Sequence, residues 1–294
     1  MSASQTNPAK IQVEGLSYSI DGSELLKQVD CEFETRQVHV ILGQNGAGKS
    51  TLLNCLSHEL LPTEGSIIWN GQPLESISYV DLALQRAVLS QSNELAFSFT
   101  VQELVELGEA VQQRASVQAK LVVEAVLHVC DMTHLRHRDY LTLSGGEQKR
   151  AQLARVLAQI WPEQQGEKES TPNATPPVQN LQQLKIEPIF NGQWLFLDEW
   201  TAGLDIKHQQ RLGRYFKQWA KRGLGIIMVL HDISFAAQLA DRCLILKEGQ
   251  VFADGEVTST LTQATLQEAM EMTVRVEIDP QNKLPIITPL LESF

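Results

Sequence analysis

The sequence predicts an α/β protein: a parallel sheet with helices on both faces, organised around a phosphate-binding turn. Three observations carry this. Residues 38–42, 194–197 and 226–230 are near-continuous apolar runs, the pattern of strands buried on both faces. The first run leads into Gly43-Gln44-Asn45-Gly46-Ala47-Gly48-Lys49-Ser50-Thr51, which fits the pattern G-x-x-x-x-G-K-[ST]. Helix-periodic stretches separate the apolar runs, and strand–helix alternation of this kind implies parallel strands with helical crossovers.

The elements follow in order. Residues 11–42 alternate in short strand-like segments broken at Asp21-Gly22, a hairpin signal. Residues 51–60 read as the helix after the glycine-rich turn, and residues 61–65 stop it. Ile67-Ile68-Trp69 followed by Asn70-Gly71 reads as a strand and tight turn. From Val101 to Val129 the apolar residues recur at helical spacing, which makes a helical insertion in the α/β frame. Residues 161–192 hold five of the eleven prolines among many Gln, Glu and Ser and read as a mobile surface loop. Residues 274–278 form a strand pattern in the tail.

Composition narrows the function. The chain has 294 residues, 43% of them hydrophobic, enough for one large core. A formal charge of −11 argues against nucleic acid or anionic lipid as the main partner, because both require clustered Lys and Arg. No apolar run approaches the roughly 18 residues of a membrane helix, and residues 1–7 carry neither a basic nor an apolar leader region, so the expected place is the cytosol. Cys31, Cys55, Cys130 and Cys243 are scattered and read as small buried hydrophobes. His134 and His137 suggest a metal pair only by their spacing, with no cysteine or carboxylate cluster beside them.

The chemistry begins at the glycine-rich turn. Its glycines let successive N–H groups converge on one anion, and the following helix adds its positive end. Lys49 would reach the β- and γ-phosphates of a nucleotide and Ser50 would hold Mg²⁺. Asp198-Glu199 closes the strand at 194–197, so two carboxylates sit at the carboxyl end of a buried strand, where open α/β sheets bind ligands. Asp198 suits a Mg²⁺ ligand and Glu199 a general base for the water that attacks the γ-phosphate.

Leu143-Ser144-Gly145-Gly146-Glu147-Gln148 precedes a strong helical stretch at 149–160. Ser144 and Glu147 also have capping-box spacing, which leaves the glycine pair unexplained. This hexapeptide resembles the signature motif of the ATP-binding cassette (ABC) ATPases, and it lies between the P-loop and the Asp-Glu strand as that family requires. The resemblance spans about residues 10–260. It implies a P-loop NTPase fold with a RecA-like core, an antiparallel β subdomain and a helical subdomain at about 92–150, leaving 261–294 as an extension. By the same resemblance Tyr18 stacks on adenine, Gln91 contacts Mg²⁺ and the attacking water, Ser144, Gly145 and Gly146 bind a second nucleotide's phosphates, Asp205 lies in the D-loop, and His231 contacts the γ-phosphate. Trp200 stands where the family usually has a proline that stiffens a turn, so hydrolysis is expected to survive there.

The resemblance further implies a head-to-tail dimer of two copies, each capping the ATP of the other, with ATP and Mg²⁺ bound. One P-loop, one signature motif and no membrane segment resemble the separate ATPase subunit of an importer, peripheral on the cytoplasmic face of a bacterial inner membrane. A permease dimer would be its direct partner and a periplasmic substrate-binding protein an indirect one. The stretch from Phe97 to Val105 resembles the region that receives the permease, with Phe97 and Phe99 expected to be partly exposed. Residues 154–161, the insertion after them, the return at Trp194 and Asp205-Ile206-Lys207-His208-Gln209 resemble the iron-chelate importers, those for hemin in particular. A siderophore or cobalamin importer, or a cytosolic ABC ATPase of the iron–sulfur assembly kind, remains as an alternative.

Overall fold

The structure, a computed structural model, describes residues 8–91, 97–162 and 188–290. The chain opens with β1 (Lys10–Ile20), β2 (Ser23–Glu34) and β3 (Val38–Gly43), then α1 (Lys49–Leu56), β4 (Glu64–Trp69), β5 (Gln72–Pro73), α2 (Tyr79–Gln85) and β6 (Arg86–Leu89). The helical part follows as α3 (Val101–Glu109), α4 (Ser116–Val129) and α5 (Gly145–Ile160). After it come β7 (Trp194–Asp198), α6 (Ile206–Lys221), β8 (Gly225–Val229), α7 (Ile233–Leu239), β9 (Arg242–Lys247) and β10 (Gln250–Glu256). The tail adds α8 (Val257–Thr260), α9 (Gln263–Met270), β11 (Val274–Ile278) and β12 (Pro285–Pro289).

Among the described residues the central sheet runs β10-β9-β3-β8-β7-β6, parallel throughout except for the β10 edge. Every residue of β3, β7 and β8 is buried, which is why these strands read as continuous apolar runs rather than as alternation. A second, antiparallel sheet, β2-β1-β4-β5, packs over α1 and the other face of the strands. Its first hairpin pairs Ile20 with Ser23, and Asp21 and Gly22 both take positive φ, the two-residue turn that Asp-Gly favours.

The core divides accordingly. Trp69, Trp194 and Phe196 lie together beneath the antiparallel sheet. On the opposite face a larger apolar cluster joins α3, α4 and α5 to Trp200, Phe216 and Trp219. The helical stretch from 101 to 129 is broken where Gln113 turns left-handed at φ 52°, giving α3 and α4 instead of one rod. The first helix is shorter than its apolar pattern suggests: α1 ends at Leu56 because His58, at φ 61°, reverses the chain.

One expectation about surface residues is corrected. The insertion expected as a surface loop at 161–192 falls at 163–187 outside the described residues, and its ends are pinned to the core even though Ile189 and Asn191 are exposed. Trp161 and Phe190 are both buried and meet the Trp219 ring, so each end of the insertion is anchored in the core. The Trp161 and Gln159 carbonyls accept hydrogen bonds from Arg114 and Gln112, which cap the end of α5. Phe97 is exposed and Phe99 is half-buried against the core beside α3, as expected for both.

The tail strand at 274–278 forms β11 and pairs with β12. That hairpin packs on α7 and α9, with Val274 and Ile287 buried in the main core. Cys55, Cys130 and Cys243 are buried and their thiols are pushed up to about 12 by burial, so they behave as packing residues. Cys31 is half-buried.

Candidate functional site

Strand order brings the site together. β3 lies between β8 and β9, and β7 lies beside β8 with Asp198 opposite Val229. The carboxyl ends of three neighbouring strands therefore deliver the glycine-rich turn, Asp198-Glu199 and His231 to one edge of the sheet.

The turn from Gly43 to Gly48 exposes Gln44, Asn45 and Gly46 at its tip and buries Ala47. Gly48 has φ 96°, and a Cβ there would come within 2.6 Å of the Leu25 carbonyl oxygen, so the turn is pressed against β2 as well as left-handed. Leu26, the next residue of β2, is the register partner of Tyr18 in β1. Tyr18 thus stands on the strand beside the one that touches the glycine-rich turn.

Lys49 begins α1, is buried, and donates to the Gly43 and Gln44 carbonyls at 3.0 and 2.8 Å. Burial lowers its pKa, while the charges of Glu199 and Asp198 oppose that shift. Ser50 and Thr51 follow in the first turn of α1.

Asp198 is only 2% exposed. Burial raises its carboxyl above the ordinary range, against the Ser50 hydroxyl and the charges of Lys149 and Lys49. Its Oδ1 has no hydrogen-bond partner among the described residues. A buried carboxylate oxygen without a donor, next to a serine hydroxyl, is a hard-oxygen site that fits Mg²⁺. Among the described residues no group of three or more His, Cys, Asp or Glu side chains is placed to hold a metal, so such an ion would rely on phosphate and water oxygens.

Glu199 stands one residue beyond the strand with φ 46°, an uncommon conformation for a side chain of its size. Its two oxygens face different partners. Gln91 Nε2 donates to Oε2 at 3.2 Å, across 108 residues of chain, and His231 Nε2 lies 2.6 Å from Oε1. A carboxylate held in this way can take a proton from water on one side while the histidine and glutamine fix its orientation.

Lys149 on α5 also faces this site, with its pKa lowered by burial against the charges of Asp198 and Glu199. Sequence reasoning missed it. The only available signal was its place five residues after Ser144, which says nothing about the distant carboxylates it meets.

Ser144, Gly145, Gly146 and Asp205 form a separate group. Ser144 caps α5: its Oγ accepts from Glu147 N at 3.4 Å and the Glu147 carboxylate accepts from Ser144 N at 2.8 Å. A Cβ on Gly146 would lie 2.5 Å from the Gly203 carbonyl oxygen, so the glycine pair is explained in part by contact with the turn before α6. Asp205 caps α6 and accepts from His208 N at 2.9 Å, a bond that holds its carboxyl below the ordinary range. Among the described residues no hydrogen bond or ion pair joins these four to Lys49, Glu199 or His231.

Trp200 does more than replace a turn-stiffening proline: its indole is fully buried edge-on to Phe216 of α6, near Phe235 of α7, with Nε1 3.3 Å from Met228 Sδ. Where the family's proline would shape the turn, this chain packs the turn onto the helices that follow Asp205 and His231.

Known proteins resemble this arrangement. Residues 26–160 match the family model described as ABC transporter. The chain is 36% identical over 278 residues to the hemin import ATP-binding protein HmuV of Escherichia coli O157:H7, covering 94% of this chain and 98% of that protein. It is 38% identical over 283 residues to the protein of the same name from Hydrogenovibrio crunogenus, covering 95% and 99%. In fold it is similar to a putative metal-chelate type ABC transporter solved in an inward-facing conformation, with a TM-score of 0.71 at 20% identity over 97% of this chain and 98% of that one. The chain belongs to the ATP-binding subunits of the ABC transporter family, ATPases whose hydrolysis is coupled to transport.

Proposed function

We propose that this chain is the ATP-hydrolysing subunit of a bacterial hemin importer, acting as a head-to-tail homodimer on a separate membrane permease. The observation that carries the hydrolytic reading is the Glu199 carboxylate, bridged by Gln91 and His231 beside the buried Lys49. What favours hemin is the similarity, over nearly the whole chain, to proteins named for hemin import.

In this reading Tyr18 stacks on the adenine ring. The turn from Gly43 through Gln44, Asn45, Gly46, Ala47 and Gly48 wraps the phosphates with its amides, and Thr51 adds a hydroxyl at the start of α1. Lys49, already stripped of much water, neutralises the β- and γ-phosphates. Ser50, Gln91 and Asp198 would hold Mg²⁺, which when bound supplies positive charge against the phosphate oxygens. Glu199 takes a proton from the attacking water, Gln91 orients that water, and His231 donates a hydrogen bond to the γ-phosphate. Ser144, Gly145, Gly146 and Asp205 act on the nucleotide of the other copy, which accounts for their separation from Lys49 and for the exposure of Ser144, Gly145 and Asp205 at the start of α5 and α6.

The ATPase unit spans residues 10–260, with the helical part inserted at about 92–150 and residues 261–294 as an extension. Among the described residues no helix is long and apolar enough to cross a membrane, so the transport path belongs to the permease. Tyr79 and Val80 of α2 and Phe97, on the two sides of Gln91 in the chain, are 65%, 73% and 73% exposed and would receive that permease. A periplasmic hemin-binding protein would act on its far side, and the subunit would sit on the cytoplasmic face of the inner membrane. The test is genetic and biochemical together. The chain should co-purify with a permease on detergent extraction, and its deletion should abolish growth on hemin as sole iron source. Co-purification without a hemin phenotype would indicate a siderophore or cobalamin importer, and failure of both would leave a cytosolic ABC ATPase.

A further inference from the structure

Asp205-Ile206-Lys207-His208-Gln209 has no part in the chemistry above beyond Asp205, yet His208 makes contacts that ordinary helix capping does not require. Its Nδ1 lies 2.8 Å from Asp205 Oδ1, at the start of its own helix. Its Nε2 lies 3.2 Å from Asp131 Oδ2, just past the end of α4 and 77 residues away in the chain. Each ring nitrogen thus faces a carboxylate oxygen, and the imidazole is held between two elements.

The neighbouring residues extend the link. Arg211, one turn further along α6, reaches the His128 carbonyl at 2.7 Å and lies 3.7 Å from Asp131 Oδ1. Gln209 Nε2 donates to the Thr201 and Leu204 carbonyls at 3.2 and 2.9 Å, drawing the turn between β7 and α6 onto the helix. The turn itself touches α5, since Gly203 O occupies the space a Cβ on Gly146 would need. One side of α6 therefore ties the Asp205 turn to the helical layer, while the turn rests on the motif at Ser144.

We propose that His208 is a positioning residue: by bridging Asp205 and Asp131 it locks the D-loop to the helical layer, so that D-loop and signature motif meet the second copy as one surface. The proposal rests on the head-to-tail dimer described above. The bridge is poorly suited to a purely structural role. The Asp205 and Asp131 side chains are 63% and 43% exposed, and ion pairs this open to water add little to stability. What such a bridge does well is fix direction.

The experiment is steady-state ATP hydrolysis by the full chain carrying His208→Ala, Asp131→Ala or both, with Lys207→Ala as a control on the same helix. Each clamp variant should lower kcat about three- to tenfold at unchanged KM for ATP, as expected for one or two charge-assisted hydrogen bonds. The double variant should be no slower than the slower single variant, because both break the same link. Melting temperatures should stay within about 2 °C of the parent, and Lys207→Ala should hydrolyse at the parent rate. A kcat within twofold of the parent in either clamp variant would overturn the proposal, as would losses that multiply in the double variant or that track a fall in melting temperature. The dimer reading is scored separately by ATP-dependent dimerisation of Glu199→Gln. If that fails, the underlying reading fails; if it succeeds while His208→Ala keeps parental kcat, only the positioning role is lost.

Discussion

His39 occupies the second position of β3, the strand that ends in the phosphate-binding turn, and it is an imidazole in an apolar place. Its ring lies edge-on to Phe33, with Nε2 within hydrogen-bond distance of the Glu34 backbone. Burial lowers its pKa to about 4, with Arg242 adding to the shift and the Glu34 backbone opposing it. A histidine with a depressed folded pKa binds its proton more readily when the chain unfolds. Its neutral form therefore supports the fold above the unfolded value of about 6.5, and that support is lost as pH falls toward 4. Denaturant titrations at pH 7.5 and pH 4 should show that His39→Asn loses about 3 kcal/mol less stability over this range than the parent. Equal losses in the two proteins would mean that His39 is not the titrating group. At this scale the sequence was informative where chemistry is local. Lys49, Ser50 and Asp198-Glu199 belong to short motifs at strand ends and could be read directly. Lys149 and the partners of His208 could not, because their meaning comes from residues about 50 and 77 positions away.

Between elements, the Trp200 contacts show how a departure from a family pattern is absorbed. The indole fills the space where β8, α6 and α7 converge, so it fastens the turn carrying Glu199 to the helix that begins just after His231. Trp200→Pro removes nearly the whole of this contact and should cost about 3–5 kcal/mol, as for other truncations of buried aromatic residues. Thermal unfolding should shift down by on the order of 10 °C. Trp200→Phe, which keeps a ring in place, should lose less than half of that. A proline variant that melts with the parent would show the indole to be dispensable. Element types were legible from period and punctuation: near-continuous apolar runs marked β3, β7 and β8, and Asp21-Gly22 marked the hairpin. Element ends were less so. The stop at Leu56 depends on a left-handed His58, and the burial of Trp161 and Phe190 depends on Trp219, neither of which has a local pattern.

For the whole molecule, the central feature is that the groups proposed for hydrolysis lie in two places on one chain. Lys49, Asp198, Glu199, Gln91 and His231 gather at the carboxyl edge of the sheet, while Ser144 and Asp205 stand at the exposed starts of α5 and α6. In the proposed reading each half is part of a phosphate site, and two copies each complete the other's. The architecture was largely legible, because the glycine-rich turn, Asp198-Glu199 and His231 each sit at the carboxyl end of an apolar strand; the strand order β3-β8-β7-β6, which differs from the chain order, was not. The proposed two-part site rests on the family resemblance alone, since no spacing within one chain encodes a contact between two. The most direct measurement is the mass in solution of Glu199→Gln with and without Mg·ATP. A variant that still binds ATP but lacks the base should convert to a stable dimer on adding ATP, return to monomer when ATP is withdrawn, and hydrolyse at least about 100-fold more slowly than the parent. A Glu199→Gln protein that remains monomeric at saturating ATP and turns over at the parental rate would contradict both the base and the composite site.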